Sequence, residues 1–363
     1  MTLGRSHRWF FTGLFGSLGF VLLSIGGFNF VVDPLHYYRG STSINHVYFP
    51  GFQRSQNVGL ARSFYYDTIV IGSSVTENFL PSYIERSWGG RAMKLAISGS
   101  TAHEQHLILQ QATRTGQVGR VIWGLDVSAF YGSPQRVRDD QGPFPYFMYR
   151  TPAILNLEYP LSLSTLDLSM RVLKGWGETN LDELDTWYQR FQFGEKIVLE
   201  GWSGSCELFA RKYELGRSEL PSLTIREMHE AVRHNLVSVV RGNPDIAFYL
   251  FFPPMARLIY VPADTGMLTY SIPLRRFIAS EIGDEPNVHL FDFQAVPALV
   301  DDLGHYKDLL HFDLRTSEYL IDSMHDGHGR VDRQLLLANS EQLIDQVNRY
   351  NYCSERGPLV ERN

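Results

Sequence analysis

Cysteine is nearly absent: the 363 residues hold two, Cys206 and Cys353, far apart and with no CxxC pair. That excludes a disulfide framework and a thiolate metal site, and leaves room for at most one bridge in an oxidising compartment. Basic runs are missing as well. No Lys/Arg-rich stretch occurs beyond the N-terminal tail, and the net charge of −6 offers no surface suited to nucleic acid. Internal repeats and low-complexity tracts are also lacking. Between Trp9 and Val32 there is no charged residue at all. Such a run is long enough to cross a hydrocarbon core of about 30 Å and predicts one transmembrane helix over 9–32. Arg5, His7 and Arg8 precede it and Asp33-Pro34 end it, so the positive-inside rule places a tail at 1–8 in the cytoplasm and the rest of the chain outside. A cleaved signal peptide is the rival reading. It would have a shorter apolar core and a small-residue cleavage site, which Phe28-Asn29-Phe30-Val31-Val32 does not supply.

Beyond the helix lies a membrane-proximal arm over 33–66, rich in aromatics, Gly, Ser and Asn, and then the bulk of the chain. Short apolar runs at Thr68 to Ile71, Ala92 to Ile97, Arg120 to Leu125, Asp245 to Phe252 and Asn287 to Phe293 each end in a turn or polar cluster, the pattern of buried parallel strands. Helical periodicity falls between them, at His103 to Ala112 and Arg226 to Arg241. Alternating strands and helices predict a doubly wound α/β domain over 67–330. The segment at about 131–224 breaks the rhythm with prolines and aromatics (Pro134, Pro143, Pro145, Phe144, Tyr146, Trp176, Trp187, Trp202) and reads as an insertion, either a packed cap or the wall of a carbohydrate cleft. The end, 331–363, reads as one helix from Gln334 to Tyr350 and a polar tail.

Chemistry is concentrated at the two ends of that domain. The first run stops on Gly72-Ser73-Ser74, which offers a serine at the C-terminal end of a buried strand, where open α/β sheets bind ligands. The plainer reading is that Ser73 or Ser74 caps the following helix. A nucleophilic serine needs a base, and the base an orienting carboxylate. Two Asp-x-x-His patterns come after the last predicted strand: Asp302 with His305, and Asp308 with His311. At that spacing a carboxylate can reach Nδ1 of the imidazole and leave Nε2 for the serine, although the pattern also arises by chance among twelve histidines.

Gly72-Ser73-Ser74, Gly99 after the second run, Gly124-Leu125-Asp126 after the third and Asp308-x-x-His311 near the end resemble the four ordered blocks of the SGNH/GDSL hydrolases, over roughly residues 67–325. The chain is most similar in layout to membrane-anchored members that modify bacterial surface polymers, such as alginate O-acetyltransferase proteins and the teichoic-acid D-alanyl transfer protein. The resemblance implies a three-layer, flavodoxin-like parallel sheet with a helical insertion, preceded by one transmembrane helix. It implies Ser74 as nucleophile, His311 as base and Asp308 as its partner, preferred to Asp302 and His305 because a helix can close behind Phe312. It further implies an oxyanion hole from the N–H groups of Ser74 and Gly99 and the side chain at position 126.

At that last position the family's Asn is Asp126 here, and an ionised carboxylate donates no hydrogen bond. Three arrangements are open: Asp126 is protonated by burial, Ser128 or a loop N–H replaces it, or the site is slow or silent. The implied activity is transfer or removal of an acyl group, acetyl first, on a surface polysaccharide or cell-envelope polymer, without cofactor or metal. A simple esterase and a silent scaffold or binding subunit of an export complex are the alternatives. The implied location is the inner (cytoplasmic) membrane, single-pass, with the domain periplasmic or extracellular. A multi-pass membrane acyl-carrier protein is the implied partner.

Overall fold

The charge-free run forms a single helix, α1 (Arg5–Val32, 28 residues), in the computed structural model, which describes residues 5–150, 153–186, 188–201, 225–260 and 266–349. Cys206, Cys353, Trp187 and Trp202 lie outside the described residues. The apolar part, Trp9–Val32, is 24 residues long. At about 1.5 Å per residue that is about 36 Å, enough to cross a membrane. Asp33 takes a positive φ of 50° and ends the helix. Its carboxylate accepts the N–H groups of Tyr37, Tyr38 and Arg39, while the Arg39 guanidinium donates to the Phe30 and Val31 carbonyls at the helix end. A cation on those terminal carbonyls also complements the helix dipole. The arm then runs into α2 (Gln53–Ser63).

A separate unit holds the sheet. Its strands are β1 (Thr68–Ile71), β2 (Ala92–Lys94), β3 (Arg120–Gly124), β4 (Ala247–Phe252), β5 (Val288–Asp292) and β6 (Arg330–Val331), in the order β2-β1-β3-β4-β5-β6. The first five are parallel and β6 is antiparallel to β5. Helices flank the sheet in a three-layer α/β/α arrangement, among them α3 (Pro81–Trp88) and α4 (Ala102–Thr113). That order puts a topological switch point between β1 and β3, where open sheets bind ligands beyond the strands' C-terminal ends. The β1 residues Ile69, Val70 and Ile71 are fully buried, which is why the run carries no period-2 alternation.

The structure departs from the sequence reading in several places. The β6 edge strand was not anticipated, because two residues are too few to show a pattern. The second run is regular only to Lys94, yet Leu95 and Ile97 still donate to the Val70 and Gly72 carbonyls and so continue along β1. The helix expected from Arg226 to Arg241 is divided by a π-helical turn, Arg233–Val237. Asn235 in that turn is buried and donates to the Pro134 carbonyl.

The Pro- and aromatic-rich segment also divides. Pro143–Leu184 forms one unit with Met1–Phe64, whereas Tyr65–Gly142 and the chain from Asp185 onward form the other. Within the first unit α5 (Tyr146–Tyr149), α6 (Glu158–Leu161) and α7 (Leu163–Leu173) pack around the arm and α1: Asn29 donates to the Pro160 carbonyl, and Tyr149 to the Arg54 carbonyl.

Candidate active site

The strand β1 delivers its chain into Gly72 at φ 151°, a conformation that L side chains rarely adopt, and a Cβ there would come within 2.8 Å of the Thr76 side chain. Only glycine makes this bend without displacing Thr76. The Thr76 hydroxyl donates to the Ser73 carbonyl at 2.9 Å and closes the turn. A short 3₁₀ turn, Ser74–Thr76, comes next. Ser73 occupies the cap position but makes no side-chain cap bond; its hydroxyl donates instead to Asp126 Oδ2 at 2.6 Å. Ser74 Oγ lies 2.7 Å from His311 Nε2. Ser73 therefore does not take the capping role its position offers.

The histidine comes from the long connection after β5. Tyr306 and Phe312 form an isolated antiparallel bridge, Lys307 N–H donates to the His311 carbonyl, and the buried Tyr306 hydroxyl donates to the Leu299 carbonyl. Asn78, just beyond the serine turn, donates to the Phe312 carbonyl at 3.1 Å and ties this loop to the end of β1. Inside it, Asp308 Oδ2 lies 2.7 Å from His311 Nδ1, and Oδ1 accepts the N–H groups of Leu310 and His311, both at 2.8 Å. A carboxylate only accepts, so the proton belongs on Nδ1 and Nε2 is left to accept from the Ser74 hydroxyl.

Burial opposes charge on Asp308, but the hydrogen bond and charge of His311 and the two backbone N–H groups outweigh it and hold the carboxyl at about 2, below its usual 3.8. A depressed carboxyl contributes stability above its unfolded pKa and loses it as pH falls through the folded one. The melting-temperature gap between the wild type and Asp308→Asn should thus be fully open above about pH 4 and close toward pH 2. Because the Asp308 side chain is 40% exposed, screening holds that gap to about 1 kcal/mol or less. A gap that widens on acidification, read by thermal scans in detergent, would contradict this pairing.

The other Asp-x-x-His pair is placed elsewhere. His305 Nδ1 lies 3.2 Å from Asp313 Oδ2, and Nε2 is 3.6 Å from Asp302. Asp313 in turn caps the helix Leu314–Asp326 through the Thr316 N–H. His305 thus reaches the residue that caps the closing helix, and the histidine beside Ser74 is His311.

Gly99 comes after β2 with φ 58°, and a Cβ there would fall 1.7 Å from Arg138 Nη1. Nη1 donates to the Gly99 carbonyl at 3.2 Å, while Asp140 pairs with the rest of the guanidinium and, chiefly by that hydrogen bond, raises its pKa. Arg138 N–H also bonds Glu104, the acidic member of the Thr101/Glu104 capping box that starts α4. Sequence reasoning missed both Arg138 and Asn78, since neither sits in a recognisable spacing.

Asp126, after β3, is buried and accepts three times: from Ser73 and Ser128 hydroxyls and from the Ala129 N–H that starts a 3₁₀ turn. All three of these bonds end on its carboxylate oxygens. Among the described residues, no group of three His, Cys, Asp or Glu side chains is placed to hold a metal ion. The arrangement supplies a hydroxyl, an acceptor nitrogen beside it and a carboxylate behind, the parts of nucleophilic acyl chemistry. No protein-family profile matches the chain, and no curated protein matches it.

Proposed function

We propose that this chain is a membrane-anchored, extracytoplasmic acyltransferase of SGNH type that moves an acyl group, acetyl first, onto a surface polysaccharide or other envelope polymer. The observation that carries the reading is the Ser74–His311–Asp308 chain at the C-terminal edge of the sheet, with both links at 2.7 Å. Ser74 Oγ attacks the acyl carbonyl while His311 Nε2 takes its proton, and collapse of the tetrahedral adduct returns that proton to the leaving group. An acceptor hydroxyl then repeats the steps in reverse and leaves Ser74 free. Asp308 keeps the imidazole in the productive tautomer, and the N–H groups of Ser74 and Gly99 stabilise the adduct's oxygen. No cofactor enters this cycle. A multi-pass acyl-carrying partner supplies the donor, an expectation that rests on the resemblance.

Incubation of the full chain with an aryl acetate, followed by digestion and mass spectrometry, should find one acetyl group on the Ser74 peptide, released faster when a polysaccharide acceptor is added. Release to water alone at the same rate supports the esterase. A silent scaffold is favoured by one observation, the acceptor-only Asp126 in the third donor position. That reading stands if no acetyl is trapped and Ser74→Ala cells still modify their polymer.

The orientation rests on the basic cluster Arg5, His7 and Arg8 in the first turn of α1, ahead of the apolar run Trp9–Val32. An alkaline-phosphatase reporter fused after Pro34 should be active, as befits an exported position. Activity only of a cytoplasmic reporter at that junction overturns the extracytoplasmic placement.

A further inference from the structure

We propose that residues 153–176 form a second membrane contact, an apolar surface that lies in the lipid interface beside the end of the spanning helix. These residues pack on the last turns of α1. Asn29 Nδ2 donates to the Pro160 carbonyl at 2.7 Å, Ser169 Oγ donates to Asn29 Oδ1 at 2.9 Å, and Leu161 Cδ2 stands 3.1 Å from where a Cβ on Gly26 would lie. Gly26 precedes the helix end at Val32 by about 9 Å at 1.5 Å per residue. The α6–α7 pair is thus held within the outermost part of the span. The paired ends of Asn29 also fit this depth, because a polar side chain there must find protein partners rather than lipid.

The sequence of α7 divides its surface in three. Thr165, Leu168, Ser169 and Val172 are buried against the rest of the unit. Asp167 and Arg171 pair at 2.8 Å on a polar side. Leu163, Leu166, Met170 and Leu173 fall within an arc of about 80° at about 100° per residue. Leu163, Met170 and Leu173 are exposed, and Leu163 is 73% exposed. Ile154, Leu155 and Leu157, on the turn before α6, extend the apolar set, with Leu155 also 73% exposed.

Scattered exposed leucines are ordinary; a set gathered on one arc of a helix that packs on a membrane-length helix is not. The chemistry at its border is interfacial. Trp176 is 61% exposed and carries the Lys174 ammonium 4.5 Å from its ring centre, an aromatic for the headgroup level with a cation that can reach water. At the end of α1 the Arg39 guanidinium lies 4.7 Å from the Phe30 ring centre. Lipid is the occupant because α6 and α7 pack on the last turns of α1, a helix of membrane-spanning length whose Phe30 and Val31 are themselves exposed.

The test uses the full chain with Cys206→Ser and Cys353→Ser, reconstituted in phosphatidylcholine/phosphatidylglycerol vesicles. Single cysteines at Leu155→Cys, Leu163→Cys and Asp167→Cys carry an environment-sensitive fluorophore, and Leu18→Cys reports separately whether α1 is in the bilayer. With the Leu18 label in lipid, labels at 155 and 163 should emit to the blue of the Asp167 label. They should also lose iodide quenching and be quenched by a nitroxide placed near the headgroup end of the acyl chain. Equal iodide quenching at 155, 163 and 167 overturns the proposal. So does protection from both quenchers with cross-linking at Leu163→Cys, which would show a second copy or another protein on this face. A Leu18 label exposed to iodide overturns the spanning helix itself and with it the interfacial placement.

Discussion

Ser74→Ala should lower acyl-ester turnover by about 10⁴-fold or more, whereas Ser73→Ala, one residue away, should lower it by less than about 100-fold. The two serines have the same side chain and opposite partners. Ser74 Oγ is the hydroxyl at 2.7 Å from His311 Nε2, so under the proposed mechanism its loss removes both the attacking atom and the proton that the imidazole takes. Ser73 Oγ is spent on the buried Asp126. Its removal leaves Asp126 with Ser128 and Ala129 and costs about 1–3 kcal/mol of stability, loosening the link between the β1 and β3 ends without touching the base. Turnover of an aryl acetate by purified full-length variants, with melting temperatures measured alongside, checks both halves. Equal loss of activity in the two variants would sink the assignment of Ser74. A fall in turnover that tracks only the melting temperature would do the same.

The parts of this site that could be read in the sequence are those whose chemistry and chain position coincide. Thr68 to Ile71 is a β-branched run closed by Gly72, and the strand lies where the run does because a fully buried strand needs only apolar residues and a stop. Asp308 and His311 are three residues apart, so a single local turn brings carboxylate and imidazole together. His305 has the same spacing from Asp302, so spacing alone does not choose between the pairs, and the sequence favoured the later one only through the helix able to close behind Phe312. What chooses is the bridge of Tyr306 to Phe312 and the bond from Asn78, the latter made across more than two hundred residues. Arg138 was illegible for a related reason: its place on Gly99 depends on Glu104 and Asp140 holding a loop with no motif. Asp126 was legible as a departure, but its role was not, since three donors from Ser73, Ser128 and Ala129 become visible only once β1 and β3 are paired. The apolar stripe of α7 has helical period, yet period alone reports an apolar face and not what covers it.

The stability of the base-bearing side should depend on a buried ion pair remote from any reacting atom. Arg275, on the helix Gly266–Ile282, and Asp292, the last residue of β5, have side chains 1% and 0% exposed. They meet as a two-point pair, with Nη1 on Oδ1 at 2.9 Å and Nη2 on Oδ2. The remaining capacity is filled: Gln294 and Ser340 accept from the guanidinium, Asn339 donates to Asp292 at 2.9 Å, and the guanidinium lies 4.8 Å from the Phe252 ring centre at the end of β4. One knot therefore joins β4, β5 and two helices just before the connection that carries Asp308 and His311. Asp292→Ala strips the carboxylate and leaves a cation buried with neutral partners only, at a cost of about 3–5 kcal/mol. For a domain of this size that is a fall of roughly 6–20 °C in melting temperature, while turnover measured well below the transition should stay within a few-fold. The double variant Arg275→Met with Asp292→Leu should recover much of the loss, because apolar groups of similar volume need no charge partner. If Asp292→Ala costs less than about 1 kcal/mol, water reaches the pair and the knot is not closed. If the double variant is no better than the single one, the cost lies in the Gln294, Asn339 and Ser340 bonds rather than in the stranded charge.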